Sequence, residues 1–148
     1  MSYTSLTYHI VFATNQRRRW LTEDVADKLA GYMNGIFVNL GGRLLAAGAA
    51  DDHMHLAGLL PPTSAVAEFI GKIKANSSRW LRRKRQDMGA FRWQDGYAAF
   101  SVSPSALARV KRYIHRQREH HHGQTFDEEL AALFEKHGIK RDGSSCLA

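Results

Sequence analysis

The chain has 148 residues, of which 44% are apolar and 24% are charged, and its formal net charge is +7. This composition excludes a disordered chain, and the length predicts a single domain over residues 1–148 whose last part, 138–148, is a loose tail. The one cysteine, Cys146, excludes an internal disulfide. Without a signal peptide or a long apolar run, we expect a cytoplasmic protein with no membrane partner.

The positive charge is concentrated in the first part of the chain. Residues 1–118 hold 18 Lys and Arg against 8 Asp and Glu, whereas residues 119–148 hold 3 against 6. A basic body of this kind indicates a polyanionic partner, and nucleic acid is the commonest one. A soluble protein that is merely basic is the alternative at this point.

The first predicted element is a strand over residues 5–14, which are rich in β-branched and aromatic side chains. Alternate residues share a face of a strand, and one face here carries Leu6, Tyr8, Ile10 and Phe12. His9 lies on the other face, where it could line a site, although a structural role is the commoner fate of a lone strand histidine. The loop that follows carries three arginines that could hold phosphates: Arg17, Arg18 and Arg19.

A helix is predicted next, with Thr22 as its N-cap and Gly41-Gly42 at its end. Its apolar positions recur at helical spacing. They are Val25, Leu29, Met33, Ile36 and Leu40. Residues 43–50 then form a second apolar strand.

The turn Asp51-Asp52 joins this strand to another, which Pro61-Pro62 ends, so the pair is a hairpin. His53 and His55 are two residues apart in the second strand, and their imidazoles therefore share a face. Two imidazoles on one rigid strand make half of a metal site.

The next helix is predicted to begin at Ser64, a possible N-cap. Its apolar stripe is Val66, Phe69, Ile70, Ile73, Trp80 and Leu81. Its other face is strongly cationic and carries Lys72, Lys74, Arg79, Arg82, Arg83, Lys84 and Arg85. A solvated face is the ordinary explanation of such charge, but this density without an acidic residue favours phosphate contact.

Residues 91–103 are predicted to form two short strands around an Asp-Gly turn. Trp93, Tyr97 and Phe100 could stack on unpaired bases, although core packing is the commoner use of such residues. A helix over 104–121 follows, with Ser103-Pro104 as its start. Cations surround Tyr113 and Gln117 on this helix. They include Arg109, Arg112 and Arg116.

The last helix opens with the capping box Thr125-Phe126-Asp127-Glu128 and ends at Gly138. Its inward residues are Phe126, Leu130, Leu133 and Phe134. The run His120-His121-His122 ends the preceding helix, where cationic histidines are favourable, so we interpret it as structural, with a second metal role as the alternative.

Tyrosine-mediated cleavage of a phosphodiester would unite these features. A neutral phenol is a weak nucleophile and the phosphate is anionic, and a divalent cation addresses both difficulties. Two histidines are too few ligands for a stable site. Gln117, one turn after Tyr113, could supply a neutral oxygen ligand that suits Mg²⁺ or Mn²⁺.

A set of motifs in this order and spacing is specific to one family. They are His9-Ile10-Val11-Phe12, Asp52-His53-Met54-His55-Leu56, Pro61-Pro62, Lys74-Ala75-Asn76-Ser77-Ser78-Arg79-Trp80, Trp93-Gln94-Asp95-Gly96-Tyr97, Phe100-Ser101-Val102-Ser103, Val110-Lys111-Arg112-Tyr113-Ile114 with Gln117, and Glu119-His120-His121. With these motifs the chain resembles the single-tyrosine HUH transposases of the smallest insertion sequences, including the REP-associated tyrosine transposases.

This resemblance implies an α+β fold in which helices pack on a central antiparallel sheet of the ferredoxin or RRM type. It implies that Tyr113 is the nucleophile and that His53, His55 and Gln117 bind the metal. Members of the family cut single-stranded DNA at hairpins, form a 5′-phosphotyrosine link and rejoin ends with the released 3′-hydroxyl. They are dimers whose tyrosine helix can complete the partner's site, so we expect a homodimer with active sites in trans as an option. The cations expected to bind DNA are Arg17, Arg18, Arg19, Lys72, Lys74, Arg79, Arg82, Arg83, Arg109, Arg112 and Arg116.

Two other functions stay open. A domesticated or inactive relative would bind hairpin DNA through the same surfaces without catalysis. A metal-dependent hydrolase would activate water, but it needs acidic ligands. Strand alternation turns Asp52 away from the histidine face, so this function ranks last.

Overall fold

The computed structural model describes residues 1–121 and 123–140. Four strands form one antiparallel sheet in the order β2-β3-β1-β4. The strands are β1 (Thr7–Ala13), β2 (Arg43–Ala49), β3 (His53–Leu59) and β4 (Ala98–Ser101). The helices are α1 (Glu23–Asn39), α2 (Val66–Lys84), α3 (Leu107–His115), α4 (Gln117–His120) and α5 (Phe126–Lys136). The predicted α+β fold with helices on an antiparallel sheet is confirmed.

Helices α1 and α2 cover one face of the sheet and form the larger core with it. From the sheet come Ile10, Phe12, Met54 and Leu56. From the helices come Leu29, Met33, Phe37, Phe69, Ile70 and Ile73. Each fully buried side chain of this kind contributes about 1.5–3 kcal/mol to folding, so this core fixes the sheet and leaves its other face for the site.

The other face of the sheet is covered by α3 and α5 in two smaller clusters. Phe126, Leu130 and Phe134 of α5 pack on β1 and β4, and Ile114 of α3 packs on β2 and β3. In the ladder between β1 and β3, Val11 pairs with His55 and Ala13 pairs with His53. Residues that pair directly across a ladder share a face. The two histidines therefore lie beneath α3 and α5.

Gly48 on β2 lets α3 approach the sheet closely. It pairs with His55 in the ladder. A Cβ atom at this position would overlap the backbone carbonyl of Ile114. Only glycine avoids that overlap, so this close contact holds the tyrosine-bearing helix next to the histidine strand.

Most of the predicted elements are confirmed. The hydroxyl of Thr22 accepts a hydrogen bond from Val25 N at 3.3 Å and caps α1. Gly41, which follows the end of α1, has a φ of 85°. The hydroxyl of Thr125 accepts one from Glu128 N at 3.2 Å and caps α5. The hairpin of β2 and β3 and the apolar stripes of α1 and α2 are also as predicted.

The prediction of two strands within 91–103 is wrong. Only β4 forms in this segment. Trp93 makes a single isolated β-bridge with Thr14 and does not belong to a strand. The ammonium group of Lys74 donates hydrogen bonds to the carbonyls of Gln94 at 2.6 Å and of Gly96 at 2.7 Å. Because these carbonyls bind a side chain of α2, they do not join a strand ladder.

Two predicted helix starts are also wrong. The residue before α2 is Ala65, which has no side chain for capping, so Ser64 is not the N-cap. The helix predicted over 104–121 begins only at Leu107, because a turn precedes it in which Ala106 N bonds to the carbonyl of Ser103 at 3.0 Å.

None of the helices in the described part of the chain has the length and apolar character that a membrane span needs. The predictions for His122, for Cys146 and for the tail from residue 141 onward concern positions outside the described residues.

Candidate active site

The two histidines of β3 are fully buried, and a different side chain orients each ring. Nδ1 of His53 lies 2.7 Å from Oδ1 of Asp52. Nδ1 of His55 lies 2.8 Å from Nε2 of His9. These contacts leave the Nε2 atoms of both β3 histidines facing the same point. His9 therefore lines the site, the less common of its two predicted roles.

The contact of Asp52 corrects a prediction. Strand alternation was expected to turn its carboxylate away from the histidines. Asp52 lies in the turn before β3, where alternation does not apply, and its side chain reaches the ring of the next residue. A carboxylate on the outer nitrogen of a histidine fixes the ring and its tautomer, which is a common arrangement around metal ligands.

The carboxylate of Glu129 on α5 occupies the point on which the histidines converge. Its Oε1 lies 3.1 Å from Nε2 of His53 and 3.0 Å from Nε2 of His55. These three residues offer ligand atoms that all lie within 4.8 Å of one another, and all three are buried. Glu129 is absent from the predicted site.

Tyr113 and Gln117 reach the same carboxylate from the other side. The Tyr113 hydroxyl donates a hydrogen bond to Oε2 of Glu129, and the amide of Gln117 donates one at 3.1 Å. The backbone breaks at Arg116, which separates α3 from α4. The two side chains nonetheless converge with the histidines, as the sequence predicted. Oε1 of Gln117 lies 3.3 Å from Nε2 of His53.

His121 also belongs to this cluster. Its Nε2 lies 3.0 Å from Oε1 of Glu129, and its ring centroid is 4.4 Å from that of His53. The chain turns after α4 and directs the His121 ring into the site. Whether this residue has a structural role or a role in metal binding stays a prediction.

Burial controls the charge of the histidines. It lowers the pKa of His55 to about 4, against the effect of its hydrogen bond to Glu129. Burial and the nearby His55 lower the pKa of His9 to about 3. Burial also opposes charge on His53, but hydrogen bonds to Asp52 and Glu129 outweigh it and raise the pKa of that ring. His9 and His55 are thus neutral near pH 7, the form in which a histidine binds metal.

The phenol and the carboxylate are shifted in opposite directions. Burial and the hydrogen bond to Glu129 raise the pKa of Tyr113 above its ordinary value. Burial would also raise the pKa of Glu129, but hydrogen bonds to His53 and His55 outweigh it and hold that pKa well below the usual range. The site therefore combines a neutral phenol with an ionised carboxylate.

The donor set fits a divalent cation. Two imidazole nitrogens and one carboxylate oxygen converge, and the amide oxygen of Gln117 lies beside them. The carboxylate and amide oxygens suit Mg²⁺ and Mn²⁺, the imidazole nitrogens also suit transition metals, and no thiolate is present among these ligands to favour a softer metal. Asp52 and His9 supply the outer hydrogen bonds that ligating histidines normally have.

The cations that were expected to bind DNA fall into two groups. Four make side-chain contacts within the protein: Arg17 pairs with Asp127 at 2.7 Å, Lys74 binds backbone carbonyls, Arg82 donates to the carbonyl of Phe91 at 3.0 Å, and Arg79 donates to Oδ1 of Asn76 at 3.5 Å. The other seven are exposed, as are Arg79 and Arg82. The seven are Arg18, Arg19, Lys72, Arg83, Arg109, Arg112 and Arg116.

One sequence signal could have identified Glu129. It lies three residues after Phe126 and four before Leu133, so it is an acidic residue on the apolar stripe of a helix. A carboxylate buried in this way needs partners, and the histidines of β3 are suitable ones.

Residues 2–117 match the family model described as transposase, IS200-like. The chain is 26% identical over 119 residues to the ISDra2 transposase TnpA of Deinococcus radiodurans, covering 77% of this chain and 85% of that protein. It is 29% identical over 117 residues to the transposase for insertion sequence element IS200 of Salmonella typhimurium, covering 76% of each.

Two solved structures are similar as well. A candidate transposase of Deinococcus radiodurans R1 gives a TM-score of 0.62 at 27% identity, covering 80% of this chain and 95% of that one. A REP-associated tyrosine transposase bound to a REP hairpin gives a TM-score of 0.59 at 16% identity, covering 100% of this chain and 94% of that one. At that identity the second similarity shows the fold alone.

Proposed function

The chain belongs to the family of IS200-like transposases, and we propose on this basis that it cuts and rejoins single-stranded DNA at ends marked by hairpins. The observation that carries the proposal is the convergence of Tyr113, His53, His55 and Gln117 on one buried carboxylate. A fold neighbour is bound to a REP hairpin, which supports hairpin DNA as the substrate.

Tyr113 is the proposed nucleophile. Its phenolic oxygen forms a bond to the scissile phosphorus, the bond from phosphorus to the 3′-oxygen breaks, and a free 3′-hydroxyl leaves. The product is a 5′-phosphotyrosine. Attack by a 3′-hydroxyl on this link reverses the exchange, rejoins DNA and releases Tyr113.

The chain's own groups prepare this attack. The hydrogen bond to Glu129 fixes the direction of the Tyr113 hydroxyl and provides an acceptor next to its proton. His53, His55 and Glu129 would hold the divalent ion, with Gln117 as a further oxygen donor. Mg²⁺ or Mn²⁺ bound there would supply positive charge that favours the phenolate and neutralises the phosphate.

The exposed cations are proposed to hold the DNA on either side of the site. Arg109, Arg112 and Arg116 lie on or next to the helix that carries Tyr113. Exposed arginines bind phosphate oxygens well, and these contacts do not depend on the base sequence of the DNA. A homodimer stays a prediction, and the arrangement of Tyr113 beside the histidines of its own chain favours a site built in cis.

A covalent adduct tests this function. The protein is incubated with hairpin-bearing single-stranded DNA and Mg²⁺ or Mn²⁺, and adducts are separated on a denaturing gel. We expect an adduct that Tyr113→Phe abolishes and that the control Tyr97→Phe retains. An adduct that persists in Tyr113→Phe would contradict the mechanism.

The non-catalytic alternative gives a different result. It requires that the wild-type protein bind the hairpin without any adduct, and that a double substitution of His53 and His55 by alanine leave its DNA function unchanged. Under the proposed function the same double substitution abolishes cleavage and spares most of the binding, which a gel-shift measurement would detect.

A further inference from the structure

A cleft of about 630 Å³ opens next to Tyr113 on the face of the sheet that α3 and α5 cover. One wall is α3, the other is α5, and the segment after β4 closes one end. The cleft is lined by Val102, Ala106, Arg109, Val110, Leu133 and Lys136, among others. Its inner end reaches Tyr113 and Glu129, so it leads from the surface to the atoms that the proposed reaction uses.

The walls of this cleft combine apolar and cationic character. Val102, Val110 and Leu133 provide apolar surface. Arg109 and Lys136 are exposed, and within the described residues neither has an ion-pair partner. Apolar surface favours the flat face of a base, and free cations favour the phosphates on either side of it. This is the chemistry of a nucleotide site rather than of an aliphatic ligand.

The shape limits what can enter. A double helix is too wide for a cleft between two adjacent helices, whereas one unpaired nucleotide turned out of a strand fits. The α5 wall lies after residue 117, where the match to the family model ends. Part of the chain outside the matched region thus shapes the space beside the tyrosine.

We propose that the cleft between α3 and α5 binds the base of one of the two nucleotides that flank the scissile phosphate. The inference rests on the proposed function for the position of the phosphate. Holding that base would fix the strand at the point of attack and would make cleavage depend on the size of the base at this position.

Two alanines provide the test, one on the α3 side of the cleft and one on the α5 side. Ala106→Leu together with Ala132→Leu narrows the cleft from both walls, since both residues line it. The matched control is Ala108→Leu together with Ala131→Leu, which are exposed residues of the same two helices that do not line the cleft. All proteins carry Tyr113→Phe, so the DNA stays intact during the measurement.

The probes are single-stranded oligonucleotides copied from the DNA that flanks the gene, each with 2-aminopurine at one position. We expect a rise in fluorescence at one position as that base leaves its neighbours and enters the cleft. The double variant Ala106→Leu with Ala132→Leu (the cleft pair) should abolish the fluorescence rise and weaken DNA binding about fivefold or more. The double variant Ala108→Leu with Ala131→Leu (the control pair) should keep the fluorescence rise and the binding affinity. Because no cleavage is needed, this result is independent of adduct formation.

Two outcomes would overturn the inference. One is a fluorescence profile that is identical in the cleft pair and the control pair at every position. The other is a cleft pair that changes the sedimentation of the free protein but not the fluorescence, which would assign the cleft to a second copy of the chain. A missing adduct in the wild-type protein would contradict the proposed cleavage chemistry. It would not affect the fluorescence or the sedimentation measurement, so the two proposals can fail separately.

Discussion

At the scale of single residues, the two β3 histidines differ in the side chain that orients each ring. A carboxylate orients His53, whereas a neutral imidazole, that of His9, orients His55. For His55 to present Nε2 to a metal, its Nδ1 must carry the proton and donate a hydrogen bond to Nε2 of His9. The low pKa of His9 keeps that ring neutral and able to accept the hydrogen bond.

Asp52→Asn is predicted to weaken metal binding. The amide replaces the charged acceptor on Nδ1 of His53, so the ring loses part of its basicity and its fixed orientation. The affinity for Mn²⁺, measured by isothermal titration calorimetry, should fall about 10- to 100-fold. Asp51→Asn is the matched control, because Asp51 pairs with Arg118 at 2.9 Å and makes no hydrogen bond to a histidine among the residues that the structure describes. Equal losses in the two variants would contradict this role.

At the scale of elements, the cations of α2 form two sets that differ in their contacts. Lys72, Arg79 and Arg83 lie on one side of the helix and are exposed. Lys74 and Arg82, by contrast, bind backbone carbonyls of the segment before β4. The first set is available to phosphates, and the second set holds that segment against the helix.

Replacing Lys72, Arg79 and Arg83 by glutamine should weaken DNA binding without changing stability. Each lost phosphate contact lowers the dependence of log affinity on log salt by about 0.7 for a single strand. Fluorescence anisotropy over a series of salt concentrations measures this slope, and urea unfolding measures stability. Lys74→Met is the contrasting variant and should lower stability, since two carbonyls lose their donor. An unchanged salt slope in the triple variant would exclude this face from the DNA interface.

Most strands and helices, and half of the residues of the site, could be predicted from the sequence, because the patterns that indicate them are local. The alternation in β1 and β3 places His53 and His55 correctly. Tyr113 and Gln117 are close in sequence and both reach the site, although they lie on two different helices. The position of Glu129 depends instead on how α5 docks, since it reaches His53 across 76 residues of sequence. The break at Arg116 and the turn of His121 into the site likewise depend on tertiary packing, which periodicity does not encode.

At the scale of the whole molecule, one chain brings together every group of the proposed site. Tyr113 comes from α3, the histidines come from β3, and Glu129 comes from α5. The tyrosine and the carboxylate are hydrogen-bonded within the same chain. No second copy is needed to complete this arrangement, even if the protein assembles as the predicted homodimer.

A mixture of two inactive variants tests this arrangement. Tyr113→Phe chains and His53→Ala chains are co-expressed with different tags, and any mixed assembly is isolated on both tags in turn. For a site built in cis, each chain of the mixed assembly lacks one essential group, so adduct formation should equal that of the separate variants. Adduct formation restored in the mixed assembly would mean that the tyrosine of one chain serves the histidines of the other, because only an exchange of α3 between chains can combine the two intact halves.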